Sequence, residues 1–174
     1  GAGGFDHRGI AVNGHQVGAM GRNEAARFLQ REIGMIIQAF YLIPSVSVMK
    51  NVLLPQMAVN AQPRPRERRA RELLEHFGVL TQANKLPTDL SGGQQQRVAI
   101  CRALVNNPSI LLADEPVGNL DSKSAMDVIR LLLDLNVREK KTVILVTHDP
   151  SHLHFADRVF HMRDGRIINI QVNR

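Results

Sequence analysis

One stretch constrains this 174-residue chain more than any other. It is Leu90-Ser91-Gly92-Gly93-Gln94-Gln95-Gln96-Arg97, followed after a short gap by Ile110-Leu111-Leu112-Ala113-Asp114-Glu115-Pro116. The first segment has the form of a helix start. Ser91 is a good N-cap, and Gln94, three residues on, is placed to return a hydrogen bond to the cap backbone. Gly92 and Gly93 leave the free N–H groups of that first turn open to a closely approaching ligand. Unpaired donors and the positive end of the helix dipole make such a turn a seat for phosphate oxygens. The second segment is an apolar run ending in two adjacent carboxylates. That is the pattern of a buried strand that delivers acids to its carboxyl end.

The rest of the chain supplies elements around this pair. Asn13-Gly14 between two short apolar alternations predicts a β-hairpin with a type I′ turn. A helix of about two turns is expected over Glu24–Arg31 with Asn23 as its cap. Gly34–Ile37 reads as a buried strand ending at Gln38. From about Pro44 to Asp89 strand signals are absent. Two helices are expected there, Ser47–Ala58 and Pro65–Phe77, the second with Pro65 in its first turn, Gly78 just past its end and Leu73, Leu74 and Phe77 on its apolar face. The helix after Gly93 carries Val98, Ile100, Cys101, Leu104 and Val105 and stops before Pro108. A further helix, capped by Asp121 or Ser122, places Met126, Ile129, Leu132, Leu133 and Leu135 along one side. Thr142–Val146 is a β-branched run ending at Thr147-His148. Strand, helix, strand at this spacing implies a parallel crossover, with the strand ends at one edge of the sheet, where such folds bind ligands. A closing hairpin is expected around Asp164-Gly165.

Leu90–Gln94 resembles the signature motif of ABC-type ATPases, and Ile110–Glu115 resembles their Walker B strand. Gly118-Asn119-Leu120-Asp121 is similar to their D-loop, Thr147-His148-Asp149 to their switch histidine, and Gln38 to their Q-loop glutamine. The wording of Glu115 to Asp121 further resembles the subgroup serving lipoprotein release and macrolide export. The resemblance implies an α/β fold of the P-loop NTPase type, with a parallel sheet and a helical subdomain. It implies ATP and Mg2+ as cofactors. Asp114 would hold the metal with help from Gln38, Glu115 would polarise the attacking water, and His148 would sense the terminal phosphate. Ser91, Gly92, Gly93 and Gln94 would meet a nucleotide held by a second ATPase subunit, and Asp121 would bridge that dimer. An integral-membrane permease is the other implied partner, with the chain cytoplasmic on the inner face of the membrane.

One family element is not in the sequence. A Walker A loop needs G-x-x-x-x-G-K-[ST], and the 174 residues contain no Gly-Lys pair. Gly1, Gly3, Gly4 and Gly9 lack the lysine and hydroxyl that would make such a loop. The expectation is therefore a partial cassette in which the first strand, the phosphate loop and its helix are missing. It comprises an N-terminal remnant and Q-loop strand (1–43), a helical subdomain (44–92) and a Walker B and switch-histidine core (93–174). Such a chain is expected not to hydrolyse ATP alone, and to expose an apolar sheet edge. A rival reading is a catalytically dead interaction module that offers its signature loop to an intact partner.

Composition narrows the alternatives. Hydrophobic content of 44% with 4% aromatics indicates a globular chain packed mainly with aliphatics. No apolar run approaches the ~20 residues that cross a bilayer. The single cysteine, Cys101, excludes an internal disulfide and reads as a buried structural thiol. Part of the net charge of +6 sits in Arg64, Arg66, Arg68, Arg69 and Arg71, interleaved with Glu67, Glu72 and Glu75. With no aromatics beside them to stack on bases, these arginines read as a solvated helix face, and no nucleic-acid partner is expected. A DNA-repair or chromosome-organising ATPase would also need long coiled-coil or zinc-hook insertions, for which the chain has neither the heptads nor the cysteines. His152 and His154 beside His148 are not read as a metal site.

Overall fold

The computed structural model describes residues 9–58 and 63–173. Gly1, Gly3 and Gly4 fall outside them. The hairpin is formed by β1 (Ala11–Val12) and β2 (His15–Gln16). Asn13 and Gly14 both have positive φ, 50° and 78°, as a type I′ turn requires. Helix α1 spans Arg22–Glu32 and is capped by Gly21, with no side-chain cap bond. Asn23 thus lies inside the first turn rather than at the cap, and the helix is a turn longer than its apolar residues suggested.

Three parallel strands carry the rest: β3 (Ile33–Ile37), β4 (Ile110–Asp114) and β5 (Thr142–Val146), in the order β3-β4-β5. Their register is flush, with Ile37, Asp114 and Val146 side by side at the carboxyl edge. Between β3 and β4 the chain is helical: α2 (Val48–Ala58), α3 (Pro63–His76) and α4 (Gly92–Leu104), with short 3-10 turns at Leu80–Gln82 and Pro87–Asp89. Pro63, not Pro65, opens α3. Its far end is a Schellman cap: Gly78 sits at φ 68°, its N–H donates to Glu75 O at 2.9 Å, and Val79 N–H donates to Leu74 O at 2.8 Å. Helix α5 (Ser122–Val137) links β4 to β5, and the hairpin β6 (Arg158–Arg163) and β7 (Arg166–Val172) closes the chain on a turn with Asp164 and Gly165 at φ 50° and 73°.

The core lies between the sheet and helices α2 to α5, where Ile36, Leu74, Phe77, Ile100, Leu104, Leu111, Ile129 and Leu135 are all buried. On α5 the buried stripe is Val128, Ile129, Leu132 and Leu135, while Met126 and Leu133 are half-buried. Cys101 is buried, and burial pushes its thiol pKa far above the ordinary value.

Among the described residues, helices cover one face of the sheet. Side chains alternate along a strand. Ile36, Leu111 and Ala113 therefore face the helices and are buried, whereas Met35, in register with Leu112 and Ile144, faces the other way. Met35 is 56% exposed, Ile144 49% and Val146 54%. Parallel strands are ordinarily buried on both faces. The outer edge of β5 has no pairing strand among the described residues. Among the described residues, the β5 edge and the part of the sheet face that bears Met35, Ile144 and Val146 are uncovered.

Candidate functional site

The flush register of the sheet gathers four of the sequence-predicted residues, Gln38, Asp114, Glu115 and His148, at one edge. Gln38 follows Ile37, Glu115 follows Asp114, and Thr147-His148 follow Val146. Asp114 ends its strand exposed, as a ligand-facing carboxylate must. Glu115 turns sharply out of the strand at φ 45°, and its N–H donates to Val146 O at 2.9 Å. That turn separates two consecutive carboxylates. The Glu115 side chain is only 20% exposed, and its Oε1 accepts from His148 N–H at 2.8 Å. It also meets His148 Nδ1 at 2.7 Å, which places the ring proton on Nδ1 when Glu115 is ionised. The two residues thus form one unit, with the imidazole itself 82% exposed.

Gln38 reaches the loop after β4. Its Nε2 donates to Asn119 Oδ1 at 3.3 Å, and Asn119 Nδ2 donates back to Gln38 O at 3.1 Å. Gly118 permits this approach, because a Cβ there would stand 2.6 Å from Gln38 Nε2. The same loop ends at Asp121, which caps α5 by accepting from Lys123 N–H at 3.1 Å and Ser124 N–H at 3.0 Å. The bonds from Ser124, its side chain first, hold the Asp121 pKa below the ordinary carboxylate value.

The glycine turn forms as its sequence dictates. Ser91 caps α4 with Gln94 in a reciprocal capping box: Gln94 N–H donates to Ser91 Oγ at 3.4 Å, and Ser91 N–H to Gln94 Oε1 at 3.0 Å. The two glycines do different work. A Cβ on Gly93 would press on Ser124, 3.0 Å from its Oγ and 3.3 Å from its Cβ, so Gly93 lets α4 and α5 pack. A Cβ on Gly92 would make only ordinary contacts, the nearest 3.5 Å from Leu120. No contact in the fold therefore requires a glycine at that position. A polar groove of about 260 Å3 opens here, lined by Ser91, Gly93, Gln94, Arg97 and Ser124 among others.

Three contributors were not singled out from sequence. Gln96 is fully buried in α4 and its Nε2 donates to Pro116 O, tying the glycine-turn helix to the loop after the carboxylates. Asn119 grips Gln38. Arg102, on the last turns of α4, donates through Nη2 to Phe40 O at 2.6 Å and through Nη1 to Tyr41 O. A buried glutamine in a helix breaks the apolar pattern only by one polar letter, so Gln96 carried a faint signal; Arg102 carried none.

His152 is buried, with Nε2 3.8 Å from Asp149. The described residues contain no group of three or more His, Cys, Asp or Glu placed to hold a metal. No helix among them is long and apolar enough to cross a membrane.

Comparison with known proteins agrees with this geometry. The family model described as "ABC transporter" matches residues 6–118. The lipoprotein-releasing system ATP-binding protein LolD of Bacteroides fragilis is 38% identical over 159 residues, covering 91% of this chain and 74% of that one. The macrolide export ATP-binding/permease protein MacB of Psychrobacter cryohalolentis is 43% identical over 157 residues, 90% of this chain and 24% of MacB. Of three uncharacterised ABC transporter ATP-binding proteins the chain spans 64% to 71% of the length. A solved dimeric ATP-binding cassette in a post-hydrolysis state, bound to ADP and Pi, superposes with a TM-score of 0.82 at 38% identity, covering 94% of this chain and 72% of that one. Gln38, the consecutive carboxylates and the histidine converge at one sheet edge in the cassette fold, and the chain belongs to the ATP-binding subunits of the ABC transporter family.

Proposed function

We propose that this chain acts as an ATP-binding subunit that couples nucleotide binding and hydrolysis to a membrane permease of the lipoprotein-release or macrolide-export type. The observation that carries the reading is the convergence of Gln38, Asp114, Glu115 and His148 on the carboxyl edge of three flush strands. Phosphoanhydride hydrolysis needs an in-line water, a group to orient it, and positive charge on the phosphate oxygens. In this assignment Glu115, steadied by His148, orients the water, and His148 can swing from Glu115 toward a phosphate oxygen because its ring is exposed. Asp114 and Gln38 are the oxygen-bearing side chains available to Mg2+, which would supply the charge. Ser91, Gly92, Gly93 and Gln94 receive the terminal phosphate of a nucleotide held by a second subunit, and Asp121 stands at that interface. The three-part division at residues 43–44 and 92–93 belongs to the same proposal, the middle part being the helical block that faces the permease. In the same proposal the subunit works without nucleic acid, on the cytoplasmic face of the membrane through its permease.

We further infer that the phosphate loop itself is not supplied by these residues. The absent Gly-Lys pair and, among the described residues, the open face bearing Met35 and Ile144 and the unpaired edge of β5 support this reading. Alone, the chain would then not turn over ATP, and its contribution would be the glycine turn it offers in trans. The test mixes the chain with an intact homologous cassette and reads magnesium-dependent ATP turnover. A rise that Ser91→Arg abolishes supports the assignment. A rise that Ser91→Arg leaves unchanged removes the trans role, and turnover by the chain alone that is lost with Glu115→Gln removes the inference about the phosphate loop.

A further inference from the structure

The loop after Gln38 is strained, and one side chain of α4 holds it. Phe40 and Tyr41 are consecutive residues at φ 54° and 45°. Bulky residues enter this left-handed region rarely and at a cost, and neither is an Asn, Asp or Gly that tolerates it. Tyr41 N–H donates to Ala39 O, closing a tight three-residue turn around Phe40. Beyond Tyr41 the loop is pinned by Asn51 of α2. Its Oδ1 accepts Ile43 N–H at 2.7 Å, and its Nδ2 lies 3.1 Å from the carbonyls of Ile43, Val46 and Ser47. Before it, Gln38 is tied to Asn119. Between these anchors, the only side chain bonded to the backbone of Phe40 and Tyr41 among the described residues is Arg102, whose planar fork reaches both carbonyls at once. The loop so held lies beside the glycine turn: Phe40 Cζ lies 4.0 Å from the position a Cβ on Gly92 would take.

We propose that Arg102 is a positioning residue that holds the Gln38 loop in a high-energy form, so that movements of the signature helix α4 reach Gln38 and Phe40 through the two carbonyl bonds. Released from the fork, the loop relaxes to ordinary backbone and Phe40 leaves the glycine turn. The functional meaning rests on the proposed ATPase role; the clamp itself does not.

The chain carries its own probe. Tyr41 is the sole tyrosine, there is no tryptophan, and its side chain is largely exposed. Incorporating 3-fluorotyrosine into the full chain gives a single 19F resonance that reports the loop. The clamp requires that resonance to move in Arg102→Gln, and also in Arg102→Lys, which keeps the charge but loses the fork. In parallel, unlabelled Tyr41→Gly should raise the melting temperature of the parent by roughly 2–4 °C by relieving the left-handed backbone, and should bring no rise in the Arg102→Gln background, where that backbone has already relaxed. An unmoved resonance, or an equal rise in both backgrounds, overturns the proposal even if Arg102→Gln melts earlier. If Arg102→Gln does not fold, Arg102→Lys carries the same comparison. All readouts use the free chain. Failure to stimulate an intact cassette would therefore count against the ATPase role and leave the clamp standing.

Discussion

Gly34 offers the sharpest stability test, because its environment leaves little room for compensation. It is the second residue of β3 and buried. A Cβ there would lie 2.5 Å from Ala103 O, 2.7 Å from Leu111 Cδ2 and 3.0 Å from Pro108 Cγ. The first is helix backbone and the third a ring, so neither can rotate away; Leu111 is itself fully buried. The φ of Gly34 is not in the left-handed region, so Gly34→Ala carries a steric cost and no backbone strain. Overpacking of this kind costs on the order of 1–3 kcal/mol, and backbone contact at this distance argues for the upper part of that range. Loss of unfolded-state freedom returns about 0.4–1 kcal/mol. A net loss of about 2 kcal/mol lowers the melting temperature by roughly 4–8 °C in a chain this size. Thermal and urea melts followed by far-ultraviolet circular dichroism measure it. A variant that melts with the parent or above it would refute the picture of β3 seated directly on α4, and with it the placement of Gln38.

The two signature glycines should separate folding from function: Gly93→Ala melts below the parent because of Ser124, whereas Gly92→Ala melts within a degree or two of it yet loses stimulation of an intact cassette. Stability should fall at acid pH. The folded pKa values of Asp121 and Asp149 lie below the ordinary 3.8, each lowered first by a hydroxyl, that of Ser124 or Ser151. Their stabilisation is therefore complete above 3.8 and is lost as pH drops through the lower folded values. In melts across pH 2–6, Asp121→Asn, which keeps a cap, should show a shallower decline. Cys101 should resist a disulfide-exchange reagent in the native chain and react fully in denaturant, since burial raises its pKa and removes access.

Much of the site was legible because its parts are local. The capping box at Ser91 and Gln94, the Asp121 cap, the I′ turn at Asn13-Gly14 and the strand ending in Asp114 each follow from residues within a few positions of one another. The edge that gathers Gln38, Asp114, Glu115 and His148 follows from parallel pairing. Boundaries misled where a cap used no side chain: Gly21 outcompeted Asn23 because extended backbone at Gly21 suffices to start α1. Contacts across the fold were not legible. The bond from Gln96 to Pro116 spans 20 residues, and that from Arg102 to Phe40 spans 62. Nothing in either stretch announces its partner. The strained pair Phe40-Tyr41 was hidden for the same reason, since its conformation is imposed by a distant guanidinium against its own preference.

The most direct measurement is a calorimetric titration of magnesium-ATP into the purified 174-residue chain. If the glycine turn serves a nucleotide held elsewhere and the phosphate loop is not among these residues, the free chain gives no binding heat at millimolar nucleotide, a regime where even Kd near 1 mM, about −4 kcal/mol, would register. Saturable binding in the micromolar range would contradict the account, and would mean that another element of this chain cradles the phosphates.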